Sequence, residues 1–243
     1  MIKQVLDRGY VRLVSYMQPA EVVMKPEDTE PPEWTGDLEV VRNARVSYNA
    51  EWRTGEDKGK DAKLLDYLVR NHHTSPLEAM VFTFEVKAPI FVVRQWHRHR
   101  TWSYSEVSAR YAELPEDYYV PDLEQITTQS EDNKQMRTGQ EHADSMLLQA
   151  RIDLSCKTSF GVYKDLLLSG TPRELARGVL PMNTYTHMFA TVDLHNLMHF
   201  MTLRLHSHAQ YEIQVYAQAL MELVEPIAPE CIKAFIQHRL SGS

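Results

Sequence analysis

Glycine is scarce in this chain, with nine among 243 residues, about half the usual share of roughly 7%. Loops that cradle phosphates on their backbone need several glycines, because only a residue without a side chain lets peptide N–H groups approach a pyrophosphate closely. Neither G-x-G-x-x-G nor G-x-x-x-x-G-K-[ST] occurs. Any bound nucleotide or flavin must then be held mostly by side chains. Cysteine is scarcer still. Cys156 and Cys231 show no C-x-x-C spacing, which reads as two free thiols in a reducing cytoplasm. No apolar run approaches the roughly 20 residues of a membrane span, and residues 1–8 (MIKQVLDR) carry no apolar signal core, so neither membrane insertion nor secretion is expected. Basic charge is also in short supply: the net charge of −7 argues against broad nucleic-acid binding.

What is present reads as an α+β fold, a mixed or antiparallel sheet flanked by helices, in a single domain over 1–243. Residues 1–37 form a strand-bearing variable arm followed by a Pro/Glu-rich surface loop at 25–32. Residues 38–48 (LEVVRNARVSY) open a helical or extended element. The stretch 61–70 places Leu64, Leu65, Leu68 and Val69 on one helix face. Over 80–86, Phe82, Phe84 and Val86 alternate with Thr83 and Glu85, as in a half-buried strand. Pro89 suits the first position of a helix carrying Ile90, Phe91, Val93 and Trp96. Residues 121–145 are polar without an apolar period, and 121–142 reads as a mobile loop. A long amphipathic helix follows over about 143–169. Thr171-Pro172-Arg173-Glu174 has the makings of a capping box. A strand is expected at 188–192 and a helix at 194–205. Ser207 is placed to cap a helix reaching about Glu225, with Pro226 and Pro229 closing it. The Met-rich C-terminal helices (Met198, Met201, Met221) read as core or subunit interface.

One segment departs from the acidic mean. Residues 94–100 (RQWHRHR) hold three arginines and two histidines. On a continuous helix Arg94 and Arg98 would share a face, as would Gln95 and Arg98. Guanidinium forks suit bidentate recognition of phosphate or carboxylate, and Trp102, Ser103 and Tyr104 offer stacking surface and small donors. A bare charge cluster usually marks only a solvated face. Here Ser103, Ser105, Glu106, Ser108 and Arg110 continue the polar series at near-alternate positions, which favours a site for an anionic, aromatic ligand, a nucleotide.

Residues 98–111, RHRTWSYSEVSARY, closely resemble the signature R-H-R-x-x-S-x-N-E-x-S-x-R-Y of flavin-dependent thymidylate synthases, departing only at Ser105, where Asn is usual. The resemblance continues in order through His73-Thr74-Ser75-Pro76-Leu77-Glu78, 81–96, 173–181 and 203–210, and spans roughly 38–120 and 143–237. It implies reductive methylation of dUMP to dTMP, with methylenetetrahydrofolate giving the carbon and FAD, reduced by NADPH, giving the hydride. Carried over by matching positions, Arg98, His99, Arg100 and Glu106 would contact FAD, and Ser75, with His73 nearby, would line its site. Asp193, Leu194, His195 and His199 would approach the flavin from a neighbouring subunit of a homotetramer; at two of these the family more often has Asn (193) and Arg (195). The nucleotide would meet Gln95, Trp96, His97, Arg98, Glu106, Val107, Ser108, Ala109, Arg110, Arg177 and Arg204. Arg204, set against the pyrimidine edge, would stabilise negative charge spread from N3 to the carbonyl oxygens; a permanently protonated group serves there as an electrostatic stabiliser and not as a base.

Ser108 has no adjacent base to make it a nucleophile and reads as a donor to phosphate or pyrimidine. Two other classes of function compete. His195 and His199 have the H-x-x-x-H spacing of a metal site, with His206 and His208 close behind. The position that holds Glu in H-E-x-x-H is Asn196, however, and Arg204 would repel a cation. Single-strand nucleic-acid binding could use the basic stretch interleaved with Trp96 and Trp102, against the net charge and without a second basic stripe. Cys156 and Cys231 lack the setting of a nucleophile and read as helix-core residues.

Overall fold

A computed structural model describes residues 1–18 and 36–240; the Pro/Glu-rich segment at 25–32 lies outside them. The architecture is α+β. Five strands form one antiparallel sheet in the order β1-β2-β3-β7-β4, where β1 is Ile2–Val5, β2 Gly9–Tyr16, β3 Val81–Pro89, β4 Ser103–Glu106 and β7 Tyr185–Asp193. Residues 1–18 of the expected arm therefore supply two strands of the main sheet. The central pair, β3 with β7, stays in register from Val81↔Asp193 to Pro89↔Tyr185. The alternation read at 80–86 is real: Phe82, Phe84 and Val86 are fully buried, while Thr83 on the other face bonds Thr191 across the strands. Both strands run further than the apolar pattern alone marked.

The buried face is covered by helices. These are α1 (Gly36–Val46), α2 (Lys58–Arg70), the single turn α3 (Ser75–Glu78), α4 (Ile90–Trp96), α7 (Leu194–Arg204), α8 (Tyr211–Val224) and α9 (Pro229–Phe235). Their apolar stripes meet the sheet in one continuous core. α5 (Ser145–Leu168) stands apart, with Cys156, Phe160 and Tyr163 closing a smaller core against Tyr118 and, in the short α6 (Arg173–Ala176), Ala176. Both cysteines are buried and free, as helix-core residues. No helix among the described residues is long and apolar enough to cross a membrane.

Four local expectations change. Pro89 closes β3 and caps α4 instead of opening it; the missing N–H costs nothing at the end of a ladder. Residues 121–142 are not irregular throughout: β5 (Thr127–Gln129) and β6 (Arg137–Glu141) pair as a hairpin. The capping box at 171–174 does not form, because α6 begins at Arg173 with Pro172 in the cap and no side-chain bond. Ser207 does not cap α8 either. That helix starts at Tyr211 behind Gln210, since 206–209 form a turn closed by Ala209 N–H donating to His206 O.

Gly9 begins β2 where the sheet meets α8. A Cβ there would sit 2.1 Å from Tyr216 Oη, 2.7 Å from Val5 O and 2.9 Å from Lys87 O, and the Tyr216 hydroxyl is already fixed by donating to Lys87 O at 2.7 Å. Overpacking of this kind is costly because neither backbone carbonyl can yield without disturbing the ladder. Gly9→Ala is expected to lower unfolding free energy by about 3 kcal/mol, read from the urea midpoint; an unchanged midpoint would show that the β1–β2 edge yields freely.

Candidate active site

The basic segment folds where β3 hands the chain to α4. The helix ends at Trp96, with His97 as its C-cap, so Arg98 lies in the following turn and the shared face expected for Arg94 and Arg98 does not exist. Ending the helix here frees its last carbonyls. Gln95 O accepts from Arg204 Nη2 at 3.2 Å and from Arg98 N at 3.3 Å. Arg204 is the last residue of α7, and the C-terminal ends of the two helices thus meet at one guanidinium.

His99 holds the other side of that guanidinium, its Nε2 accepting from Arg204 Nε at 3.0 Å. The ring is buried, edge-on to Phe200 with centroids 4.7 Å apart and 6.1 Å from the ring of His199. Burial first, then the charge of Arg204, pushes the His99 pKa down to about 4. His99 is neutral at pH 7, and an accepting Nε2 places its proton on Nδ1. Burial, then Arg98, lowers the Arg204 pKa from its ordinary value, but a guanidinium keeps its proton in proteins. Nη1 of Arg204 has no partner among the described residues.

The expected site residues fall into separate groups. Gln95, Arg98, His99, His199 and Arg204 come together at the helix ends. Glu106 closes β4, exposed, accepting from Thr186 Oγ1 at 2.6 Å on the neighbouring strand. Val107, Ser108, Ala109 and Arg110 follow in a surface turn in which Ser108 Oγ accepts from Arg110 N at 3.3 Å. Arg110 also faces Glu174 at 3.7 Å, in the short helix that leads directly to Arg177. Ser75, Asp193, Leu194 and His195 gather instead at the start of α7, against which α3 packs. His199, midway along α7, stands between this last group and the helix ends: its ring is 6.1 Å from that of His99, and His195 lies one turn before it on the same face.

Three assignments are altered by burial. Trp96 is fully buried against Trp102, Phe200 and Tyr216 and its ring cannot touch a substrate. Trp102 is buried too, so neither indole is a stacking platform for nucleic acid. Leu194 is fully buried, leaving only its backbone to reach a ligand. Asp193, where the family more often has Asn, is the N-cap of α7: it accepts from Asn196 N at 2.8 Å and Asn196 Nδ2 at 2.6 Å. That satisfies a helix donor which nothing else would. His195 and His199 share the α7 surface, yet no group of three or more His, Cys, Asp or Glu able to hold a metal exists among the described residues.

Two participants, Glu212 and Arg137, carried no sequence signal. Gln95 Nε2 donates to Gln210 Oε1 at 2.5 Å, and Gln210 Nε2 donates to Glu212 Oε2 at 2.7 Å. Arg137 of the β5–β6 hairpin pairs with Glu212 Oε1 at 2.8 Å. These contacts cross up to 115 residues and no local spacing announces them. Tyr104 buttresses the turn by donating to His99 O at 3.1 Å.

The residues present suit anionic ligands with an aromatic part. The side chains of Arg94, Arg98, Arg100 and Arg177 make no hydrogen bond or ion pair among the described residues, in a chain of net charge −7. His195 Nδ1 and His97 Nε2 are buried without partners, and such atoms ordinarily find one. Two clefts, of about 530 Å³ beside α5 and about 450 Å³ between α2 and α9, contain none of these side chains. The arginines lie on open surface.

The thymidylate synthase complementing protein family model matches residues 33–230. A flavin-dependent thymidylate synthase of Treponema pallidum (strain Nichols) is 42% identical over 240 residues, 98% of this chain and 72% of that protein. One from Thermotoga neapolitana is 41% identical over 238 residues, 98% of this chain and 95% of its own. The crystal structure of a UMP/dUMP methylase, PolB from Streptomyces cacaoi, bound with 5-Br dUMP, superposes with a TM-score of 0.81 at 33% identity, covering 98% of each chain.

The neutral His99 has a consequence for acid stability. Its pKa is near 4 in the fold and about 6.5 unfolded, so between these values the unfolded chain binds more protons. Stability from this group is whole above pH 6.5 and is lost as pH falls toward 4. A series of Tm values over that window is expected to fall more steeply for the wild type than for His99→Gln; parallel curves would contradict the assignment.

Proposed function

The chain belongs to the flavin-dependent thymidylate synthases, and on that footing we propose that it converts dUMP to dTMP with methylenetetrahydrofolate as carbon donor and FAD, reduced by NADPH, as hydride source. The observation that carries the reading is Arg204, clamped by His99 Nε2 and Gln95 O with Nη1 left over. In the overall change the C5 proton of uracil leaves, a methylene carbon takes its place, and hydride completes the methyl group.

For C5 to attack an electrophilic carbon, negative charge must spread over N3 and the carbonyl oxygens. Arg204 meets that charge from a fixed position, and a donor already oriented pays no reorganisation when charge develops. Because His99 is neutral, it steadies the guanidinium without adding a second charge that would push Arg204 away. FAD, when bound, supplies the hydride. Arg98, His99, Arg100, Glu106 and Ser75 would hold it, with Asp193, the Leu194 backbone, His195 and His199. Gln95, His97, Arg98, Glu106, Val107, Ser108, Ala109, Arg110, Arg177 and Arg204 would hold dUMP. The reading includes a site pooled between the chains of a homotetramer, within the cytoplasm.

No thiol is placed to attack uracil. Burial pushes up the Cys156 thiol, and Cys231 is fully buried, its pKa raised well above normal by burial and Asp37. Purified protein is expected to show a flavin absorption spectrum, or to acquire one with FAD, and to form dTMP; a preparation that cannot be loaded with FAD would sink the reading. Arg204→Ala should keep its flavin while turnover falls about 10²–10³-fold, and unchanged turnover would remove Arg204 from the chemistry. Cys156→Ser with Cys231→Ala should leave turnover nearly intact if folding is preserved; a folded but inactive protein would restore a thiol mechanism.

A further inference from the structure

The chain of hydrogen bonds behind Gln95 has a direction, and that direction is set at Glu212. Glu212 is 3% exposed, and Arg137 at 2.8 Å keeps it paired, with the Tyr119 hydroxyl donating to the same oxygen at 3.4 Å. A carboxylate only accepts. Gln210 therefore turns its NH2 toward Glu212 Oε2, at 2.7 Å, and is left with its oxygen facing Gln95. That oxygen can only accept, so Gln95 turns its own NH2 inward, at 2.5 Å. Two side-chain amides, each free in principle to flip, are ordered in series by one buried charge. What remains of Gln95 is its Oε1, which has no partner among the described residues and belongs to the residue whose carbonyl grips Arg204.

We propose that Glu212 and Gln210 are positioning residues that fix the Gln95 amide with its oxygen outward, so that the site presents an acceptor beside the Arg204 donor and selects a nucleotide bearing a hydrogen-bond donor at that point. A uracil imide N–H and a ribose hydroxyl are the two donors a uridylate can offer. Where the imide N–H is the donor, cytosine, with a bare acceptor at N3, would meet Gln95 Oε1 with repulsion; where the ribose hydroxyl is the donor, the contact does not depend on the base. The inference rests on the dUMP reading above. It also gives the β5–β6 hairpin a role, since through Arg137 it neutralises the carboxylate from which the ordering starts.

The test is calorimetric titration of flavin-loaded protein with dUMP, N3-methyl-dUMP and 2′,3′-dideoxyuridine monophosphate. Gln210→Leu removes the relay while leaving the Arg137–Glu212 pair intact, and Glu212→Gln removes the charge itself. Either variant should weaken dUMP binding about tenfold, equivalent to about 1.4 kcal/mol, and raise KM more than it lowers kcat. One of the two analogues should bind the wild type about as weakly as dUMP binds Gln210→Leu, and should lose little more on that variant, because the same contact is removed twice. That analogue identifies the donor. If Gln210→Leu binds dUMP as the wild type does, or if both analogues lose the full tenfold again on the variant, the relay is overturned while the dUMP reading stands. If wild-type protein binds FAD but no dUMP, the reading falls and the relay with it.

Discussion

The site depends on the nine-residue pairing of β3 with β7. The strands are antiparallel, so their C-terminal ends lie at opposite ends of a ladder about 27 Å long. Each is followed by a helix that packs on the strand before it: α4 after Pro89, α7 after Asp193. Seven residues of one and eleven of the other, at about 1.5 Å each, bring two helices that start far apart to a common meeting point. There the spare carbonyl of one receives the terminal arginine of the other. A slip in register by one residue would turn Phe82, Phe84 and Val86 to the outer face and separate Gln95 from Arg204. The core and the site are therefore specified by the same hydrogen bonds.

Much of this was legible. Alternation at 82–86, the helical spacing at 61–70 and the helix at 194–205 depend on period, which local sequence carries. The family was legible in 98–111 as well, because a pattern of that length built from arginine, histidine and serine is specific. The failures have one origin. Capping at Thr171 and Ser207 was inferred from residue type alone, whereas the true helix starts are set by turns closed through the backbone. The hairpin at 127–141 is polar on both faces and has no period to read; it is held by Arg137 reaching a carboxylate 75 residues away. Trp96 sits between Gln95 and His97, both near the site, and only packing against Phe200 and Tyr216 reveals that its ring belongs to the core.

Glycine scarcity acquires a mechanism from this geometry. With few glycine turns to bring peptide N–H groups against phosphate, any anion binding would fall to guanidinium groups, which need no special backbone angle. Such groups require somewhere to be unpaired. In a chain with 33 acidic residues against 26 Lys and Arg, Arg94, Arg98, Arg100 and Arg177 nonetheless find no carboxylate among the described residues, whereas Arg12, Arg45 and Arg137 each do. The carboxylates nearest the site are committed elsewhere: Asp193 to the start of α7, Glu212 to Arg137 and Gln210, Glu106 to Thr186.

That commitment explains why a histidine, not an acid, holds Arg204. An Asp or Glu in place of His99 would bind the guanidinium more tightly, but it would also cancel the charge of that guanidinium. A neutral imidazole fixes the arginine through Nε and leaves its charge undiminished. Its burial against Phe200, followed by the charge of Arg204 beside it, keeps it neutral, since an imidazolium there would need a counter-ion that the pocket does not offer. The aromatic cluster around 96–104, which at first resembles a stacking surface for a ligand, thus lies one layer below it: Trp96 and Trp102 pack on Phe200, and Phe200 in turn buries the ring that holds the arginine.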